Sequence, residues 1–438
     1  MVVRIGCDDR CHDSFAARGG FPIWAADLET PSHCDCNGRW AGDCALHPMN
    51  WRWVPAVYSP VAPRSLIGGI AAACAPHRAS VENVIDALRE RYGAADAVLT
   101  DSGTSALILA LRAIVPAGGT IAYPGYSCID LTAAAVGAGM RVRLYDLDPK
   151  TLSPDLESVK KAIERGVDAI VVAHLYGYPA DVGAVKELAR QYGIPVIEDS
   201  AQGAGGTLRG VRLGAIGDIS ILSFGRGKGA TTGSGGAVIV RNPALRDWVR
   251  QTRKRLGGGR RGGQEICALA AQWLFSHPLL YRLPASVPAL KLGEMVYRPP
   301  TQPRAMPAAA AAMLSSVLRM DDCEIAVRRA RANKLLSRIN GSGRIVPVHP
   351  VTGGGSGFLR FAVTDATGRL APVAPLGLLR GYPLTLEEHE QLRPVLVAGE
   401  KAGTGSVQLR DRLFTLPTHS RVGSRDQARL QDWLARSS

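Results

Sequence analysis

Between Ala97 and Ile197 short apolar runs alternate with amphipathic stretches at helical spacing. Ala97–Leu99, Thr120–Tyr123, Val142–Tyr145, Ala169–Ala173 and Pro195–Ile197 read as strands. Thr104–Ile114, Ser127–Val136, Pro154–Glu164 and Val182–Tyr192 read as the helices between them. Neighbouring parallel strands need a crossover, and a helix of this length supplies it. The pattern therefore predicts an α/β architecture with a largely parallel sheet. A further helix is expected from Ser80 to Tyr92. Ile219–Phe224 and Ala237–Val240 flank a glycine-rich turn, Gly225–Gly236, with hairpin-like spacing.

The remaining chain sorts by composition. Residues 1–48 are rich in Cys, Asp, Gly and Arg and lack amphipathic period, so they read as a disordered tail or a mis-assigned start, with Met49 as the start codon's residue. Residues 49–307 form the expected large domain, interrupted at about 250–303 by an Arg/Gly-rich break, an apolar helix (Ile266–Phe275) and a Pro-rich stretch. Residues 308–438 form a smaller α+β domain, with helices at Ala308–Met320, Glu324–Ile339 and Ser424–Leu434 and strands at Phe358–Val363 and Leu413–Leu416. Five of the nine cysteines fall in the first 44 residues, at spacings that match no standard zinc pattern, and no secretory signal supports disulfides. No apolar run reaches membrane-spanning length, so a cytoplasmic protein is expected. The formal charge of +14 favours anionic partners. The absence of any helix-turn-helix, zinc-finger or aromatic RNA-binding signature argues against nucleic acid.

Three short segments carry chemistry. Asp101-Ser102-Gly103-Thr104-Ser105-Ala106 runs from a strand into a helix, where unpaired N–H groups and the helix dipole make a phosphate site or an ordinary cap. Glu198-Asp199-Ser200-Ala201-Gln202 follows the strand ending at Ile197, at the sheet edge where ligands of parallel sheets bind. Ser223-Phe224-Gly225-Arg226-Gly227-Lys228 places a lysine in a glycine-flanked turn, and a reachable neutral amine forms Schiff bases. A phosphate cradle, a carboxylate for a pyridine nitrogen and a turn lysine are together the parts that pyridoxal 5'-phosphate chemistry requires.

The same stretches, with His174-Leu-Tyr-Gly-Tyr-Pro-Ala-Asp181, Gly214-Ala-Ile-Gly-Asp218 and Gly235-Gly-Ala237, resemble the DegT/StrS-type sugar aminotransferase family over about Tyr58 to Arg421. The resemblance implies a fold-type I architecture: a mostly parallel seven-stranded sheet in the large domain plus the smaller C-terminal domain. It implies that Lys228 holds the cofactor and shuttles protons, that Asp199 pairs with the ring nitrogen and that Gln202 contacts the phenolic oxygen. Gly103, Thr104 and Ser105 would hold phosphate with Ser223, and Tyr126 would lie against the ring. His174 and Arg304 are candidate substrate contacts; a buried, satisfied histidine is the alternative for His174. There are departures. Cys128 stands where the family places an aromatic residue, Ser234 stands where it has a glutamate, and Gln302-Pro303-Arg304 is the nearest match to its Asn-x-Arg loop.

The reading that follows is an aminotransferase moving an amino group, expected from glutamate, to a keto-sugar that is expected to be nucleotide-linked. Its setting would be polysaccharide or secondary-metabolite biosynthesis, and the protein would act as a homodimer. Two alternatives stay open: another lyase or transferase reaction on the same cofactor, and a non-catalytic regulator or scaffold whose apolar stretch Ile266–Leu292 rests on a membrane surface.

Overall fold

The computed structural model describes residues 51–75, 78–256, 259–339 and 343–437. The expected tail or mis-assigned start at residues 1–48, with its cysteine group, and Met49 lie outside them. Two helices lead in, α1 (Pro63–Cys74) and α2 (Arg78–Tyr92). The sequence pattern had not marked α1, whose run of Gly and Ala gives little amphipathic contrast. Strands β1 (Asp96–Thr100), β2 (Thr120–Pro124), β3 (Arg141–Tyr145), β4 (Ala169–Ala173) and β5 (Val196–Asp199) then alternate with α3 (Gly103–Ile114), α4 (Asp130–Ala138), α5 (Leu156–Glu164) and α6 (Val182–Arg190). The short pair β6 (Thr207–Leu208) and β7 (Val211–Arg212) precedes the hairpin of β8 (Ile219–Ser223) and β9 (Gly236–Val240).

The main sheet has seven strands in the order β1-β9-β8-β5-β4-β2-β3. β9 pairs antiparallel with both neighbours, and the β8-β5-β4-β2-β3 pairings are all parallel. The expected mostly parallel seven-stranded sheet is therefore present. Its strands are buried on both faces, as parallel strands covered by helices must be. Val98, Leu107, Leu111, Ile121, Val171 and Ile197 pack on one face, and Val159, Ile163, Val172, Val185 and Val196 on the other. This construction sends the carboxyl ends of β1, β4, β5 and β8 to one edge, where Asp101, His174, Asp199 and Phe224 emerge.

Helices α7 (Arg246–Leu256), α8 (Gly263–Phe275) and α9 (Arg282–Ala285) follow. Where two helices were expected, α10 runs unbroken from Ala308 to Leu336. Asp321, Asp322 and Cys323 do not interrupt it, because nothing between Ala308 and Leu336 is Gly or Pro and the buried positions simply change partners along its length. Ala310, Leu314 and Val317 pack with the main sheet, whereas Ala332 and Leu335 pack with a second, four-stranded antiparallel sheet. That sheet contains β10 (Ile345–Pro347), β12 (Phe361–Asp365), β13 (Leu379–Arg380) and β14 (Leu413–Leu416), in the order β10-β12-β14-β13. The expected turn at Gly353–Gly357 holds a short strand, β11 (Gly354–Gly355), which adds to β6 and β7. Helices α11 (Thr404–Arg412) and α12 (Ser424–Ser437) complete the chain.

One carboxylate fastens the C-terminal part to the main sheet. Asp146, just beyond β3, accepts from the N–H of Gly405 (2.9 Å), the N–H of Ser406 (2.7 Å) and Ser406 Oγ (2.7 Å) at the start of α11. This satisfies donors that a helix leaves unpaired, and it places a negative charge at the positive end of the helix dipole. Asp146→Ala is expected to lower the unfolding free energy by about 2–3 kcal/mol, measured by denaturant titration.

Candidate active site

The turn that carries Lys228 is built by glycines. Gly227 and Gly235 adopt φ of +78° and +114°, which let the chain reverse between β8 and β9. The turn is closed by Phe224 N–H to Gly235 O (2.8 Å) and Thr232 N–H to Phe224 O (3.0 Å), and Gly235 N–H donates to Asp101 O (2.9 Å). The lysine turn and the Asp101 segment are thus stitched together. Lys228 is half-buried, and among the described residues its Nζ has no hydrogen bond or ion pair. Burial works against its charge. The acidic neighbours Cys128, Asp130 and Asp199 outweigh burial, and the ammonium pKa is raised.

Asp199 ends β5 and is buried, with one oxygen accepting from Ala201 N–H (2.9 Å). Burial raises its pKa against the opposing pull of that N–H, Lys228 and His174. A buried carboxylate with a single donor is suited to a cationic partner that is not itself a side chain. At the head of α3, Ser102 Oγ caps the helix by accepting from Ser105 N–H (3.0 Å), so the preceding N–H groups of Gly103 and Thr104 stay free of that cap. A Cβ on Gly103 would lie 2.7 Å from the Cβ of Ser223 and 2.8 Å from its Oγ. The two segments approach so closely that only glycine fits, and the Ser223 hydroxyl sits at the helix start. A free amine, an under-satisfied buried carboxylate and an open helix N-terminus, brought together by one sheet edge, fit the aldehyde, ring nitrogen and phosphate of pyridoxal 5'-phosphate.

Other expected residues resolve differently. Gln202 is half-buried; its Oε1 accepts from Tyr176 N–H (3.1 Å) and its Nε2 donates to Tyr382 Oη. Tyr126 is fully buried, accepts from Tyr382 N–H (2.6 Å) and lies with its ring 5.4 Å from that of Tyr382. Tyr382 comes from the loop after β13, and Tyr176 lies with its ring 5.3 Å away from it. Tyr382 was not anticipated, because the Gln202–Tyr382 contact bridges 180 residues of sequence, and Tyr176, inside the His174–Asp181 motif, carried no assigned role. Cys128 does stand beside the lysine, its thiol pushed up to about 12 by burial and by Asp130.

His174 is corrected from substrate contact to internal strut. It is 1% exposed, its Nδ1 accepts from Ala180 N–H (3.0 Å), and its Nε2 is therefore the protonated nitrogen, donating to Glu198 Oε1 (3.0 Å). No ring nitrogen is left for a substrate. The backbone of Arg304 lies against Asp101, its carbonyl accepting from Asp101 N–H (2.9 Å), but its side chain is exposed. Ser234, standing for the expected glutamate, donates to Glu265 Oε1 (3.2 Å), so a carboxylate from α8 occupies that neighbourhood.

Glu198 is wholly structural. Besides His174 it receives the N–H groups of Gly214 (2.7 Å), Ile216 (2.8 Å) and Gly217 (2.8 Å), and Ser220 Oγ (2.9 Å). Burial would raise its pKa, but the His174 bond and the backbone donors prevail and lower it to about 2. A depressed carboxyl stabilises the fold above its unfolded pKa and loses that contribution as pH falls toward its folded value. Glu198→Gln should therefore lower stability at pH 7 by about 3 kcal/mol and flatten the loss that the parent shows between roughly pH 4.5 and 2, both read by unfolding at a series of pH values. The raised Asp199 has the opposite sign, its cost growing as pH rises. Asp199→Asn is expected to raise the melting temperature of the cofactor-free chain at neutral pH while weakening cofactor retention on gel filtration.

Residues 78–268 match the DegT/DnrJ/EryC1/StrS aminotransferase family. The L-glutamine:2-deoxy-scyllo-inosose aminotransferase of Streptomyces lividus is 34% identical over 260 residues, 59% of this chain and 56% of that protein. A UDP-N-acetyl-3-dehydro-alpha-D-glucosamine 3-aminotransferase of Acidithiobacillus ferrooxidans is 34% identical over 163 residues, 37% of this chain and 44% of the relative. The chain thus spans about half the length of the curated relatives it matches. The solved sugar aminotransferase CalS13 from Micromonospora echinospora shares the fold, with a TM-score of 0.68 at 23% identity over 88% of this chain and 100% of that one. The matched residues 78–268 carry the cradle, the acid and the lysine, and over them the chain is similar to the DegT/DnrJ/EryC1/StrS aminotransferase family, whose cofactor is pyridoxal 5'-phosphate.

Proposed function

We propose that this protein moves an amino group from an α-amino acid, glutamate or its amide, to the ketone of a sugar or cyclitol ring. The observation that carries the reading is the unpaired, half-buried amine of Lys228 beside the under-satisfied Asp199 carboxylate and the open start of α3. When bound, pyridoxal 5'-phosphate supplies an electron sink for the carbon that loses its proton. Asp199 would hold a proton on the ring nitrogen, which keeps the sink strong. Gly103, Thr104 and Ser105, with Ser223, would bind the phosphate through the helix start. Gln202 would hold the ring's phenolic oxygen through its amide. Lys228 Nζ, once neutral, takes the proton from the donor's α-carbon and returns one on the far side of the transfer. The buried tyrosines Tyr126, Tyr176 and Tyr382 would keep water from the Gln202 side of this centre.

The acceptor class rests on the relatives, which are named for keto-cyclitol and nucleotide-linked keto-sugar substrates. The arginine-rich surface and net charge of +14 favour a diphosphate-bearing acceptor. Cytoplasmic location fits the described residues, among which no helix is long and apolar enough to cross a membrane. Exposed Trp273, Leu274, Leu283 and Leu290, with Ile67 on α1, support a covered face, for which a homodimer is our reading. A role in polysaccharide or secondary-metabolite biosynthesis follows from the acceptor class.

The test is a half-reaction. With glutamate or glutamine the cofactor-loaded protein should lose its absorbance near the aldehyde-linked form and regain it on addition of a keto-sugar. Absence of conversion with either donor would reject the proposal. Because the raised Lys228 pKa leaves little neutral amine at pH 7, covalent loading trapped by borohydride should speed up about tenfold per pH unit on going up from pH 7, and Lys228→Ala should trap nothing.

A further inference from the structure

The backbone around Lys228 is held from outside its own turn. The Lys228 carbonyl accepts from Ser59 Oγ, and the next carbonyl, Gly229, accepts from Arg328 Nη2 at 3.3 Å. The same Arg328 nitrogen donates to Tyr58 O at 3.2 Å, so one guanidinium joins the Tyr58-Ser59 segment to the lysine turn. Arg328 sits on α10 and is fully buried, with Asp321 Oδ1 at 3.5 Å and Glu324 Oε1 at 3.9 Å. Gly229 cannot withdraw: a Cβ there would lie 2.0 Å from that of Ala204, two residues beyond Gln202. The neighbouring Arg329 completes the grip, donating to Gly205 O at 2.8 Å, and Gly205 lies so close to Ile325 that a Cβ would come within 2.3 Å of it. α10 therefore holds both the segment that follows Asp199 and Gln202 and the segment that carries Lys228.

We infer that Arg328 is a positioning residue for Lys228: with Ser59 it fixes the Lys228-Gly229 carbonyls, and so the lysine turn, relative to the segment that follows Asp199 and Gln202. A buried ion pair is weak grounds for stability, since apolar replacements of similar volume often fold as well or better. What an apolar residue cannot do is donate to two carbonyls on separate segments at once, which the planar guanidinium does from a single nitrogen. The inference rests on Lys228 being the reacting amine, and its test is chosen to work without cofactor.

The experiment compares the full-length parent with Arg328→Lys and Ser59→Ala by acetic anhydride labelling of Lys228 across pH 7–11, followed by peptide mass spectrometry. The groups facing Nζ are acidic and favour its ammonium form. A turn that drifts from them lowers the labelling midpoint, so both variants should label faster, about tenfold at a given pH near 8. Ser59→Ala leaves the buried Arg328–Asp321 pair intact and should keep the parent's melting temperature, so it decides the matter if Arg328→Lys does not fold. An unchanged labelling midpoint in Ser59→Ala, together with an unchanged one in any folded Arg328→Lys protein, would overturn the inference. A parent that labels as described yet performs no half-reaction would count against the proposed function alone.

Discussion

The site depends on one buried anion that takes no part in chemistry. Glu198 gathers two backbone N–H groups and a hydroxyl on one oxygen, and a backbone N–H and the His174 imidazole on the other. A carboxylate stripped of water is tolerable only when its lone pairs are filled in this way. Filling them fixes the Gly214–Gly217 loop beneath β5 and orients His174 at the end of β4. Asp199, the next residue, is left as the contrasting case: equally dry but held by a single N–H. Two adjacent carboxylates at one strand end thus differ in kind, one with its lone pairs filled and one with a single donor.

Much of this was legible in the sequence. The period of apolar runs located the strands β1 to β5 of the main sheet, and the order of cradle, acid and lysine along the chain survived as proximity at one edge of the sheet. That transfer works because each motif sits immediately after a strand, and parallel strands end together. Legibility failed where contacts cross long stretches of chain. Tyr382, Glu265, Ser59 and Arg328 reach the site from elements whose local pattern marks them as ordinary loop, helix or core residues. His174 misled for a related reason: its position beside the motif was readable, but the direction in which its ring nitrogens point was not. The break expected in α10 shows a third limit. Asp321, which falls in the expected gap, turns inward and pairs with Arg328.

Departures from the family pattern are met by neighbours. Ser234 has given up a carboxylate, and Glu265 of α8 supplies one to its hydroxyl. The expected aromatic at Cys128 is absent, and Tyr126 of the same loop packs with Tyr176 and Tyr382 from other elements. The Pro-rich stretch after α8 contributes none of these groups; its Leu279, Leu283, Val287, Leu290 and Leu292 side chains are exposed.

α10 is, mechanically, a beam. Its 29 residues extend about 43 Å, with no glycine or proline at which to yield. One end is bedded in the main sheet's core and the other in that of the second sheet. Bending along it would break successive backbone bonds, so any opening of the molecule must tip the beam as a whole. Because Arg328 and Arg329 grip the lysine turn and the segment behind Asp199, tipping would drag both sides of the reacting centre in the same direction. The distance between amine and carboxylate would then be preserved while access to them changes.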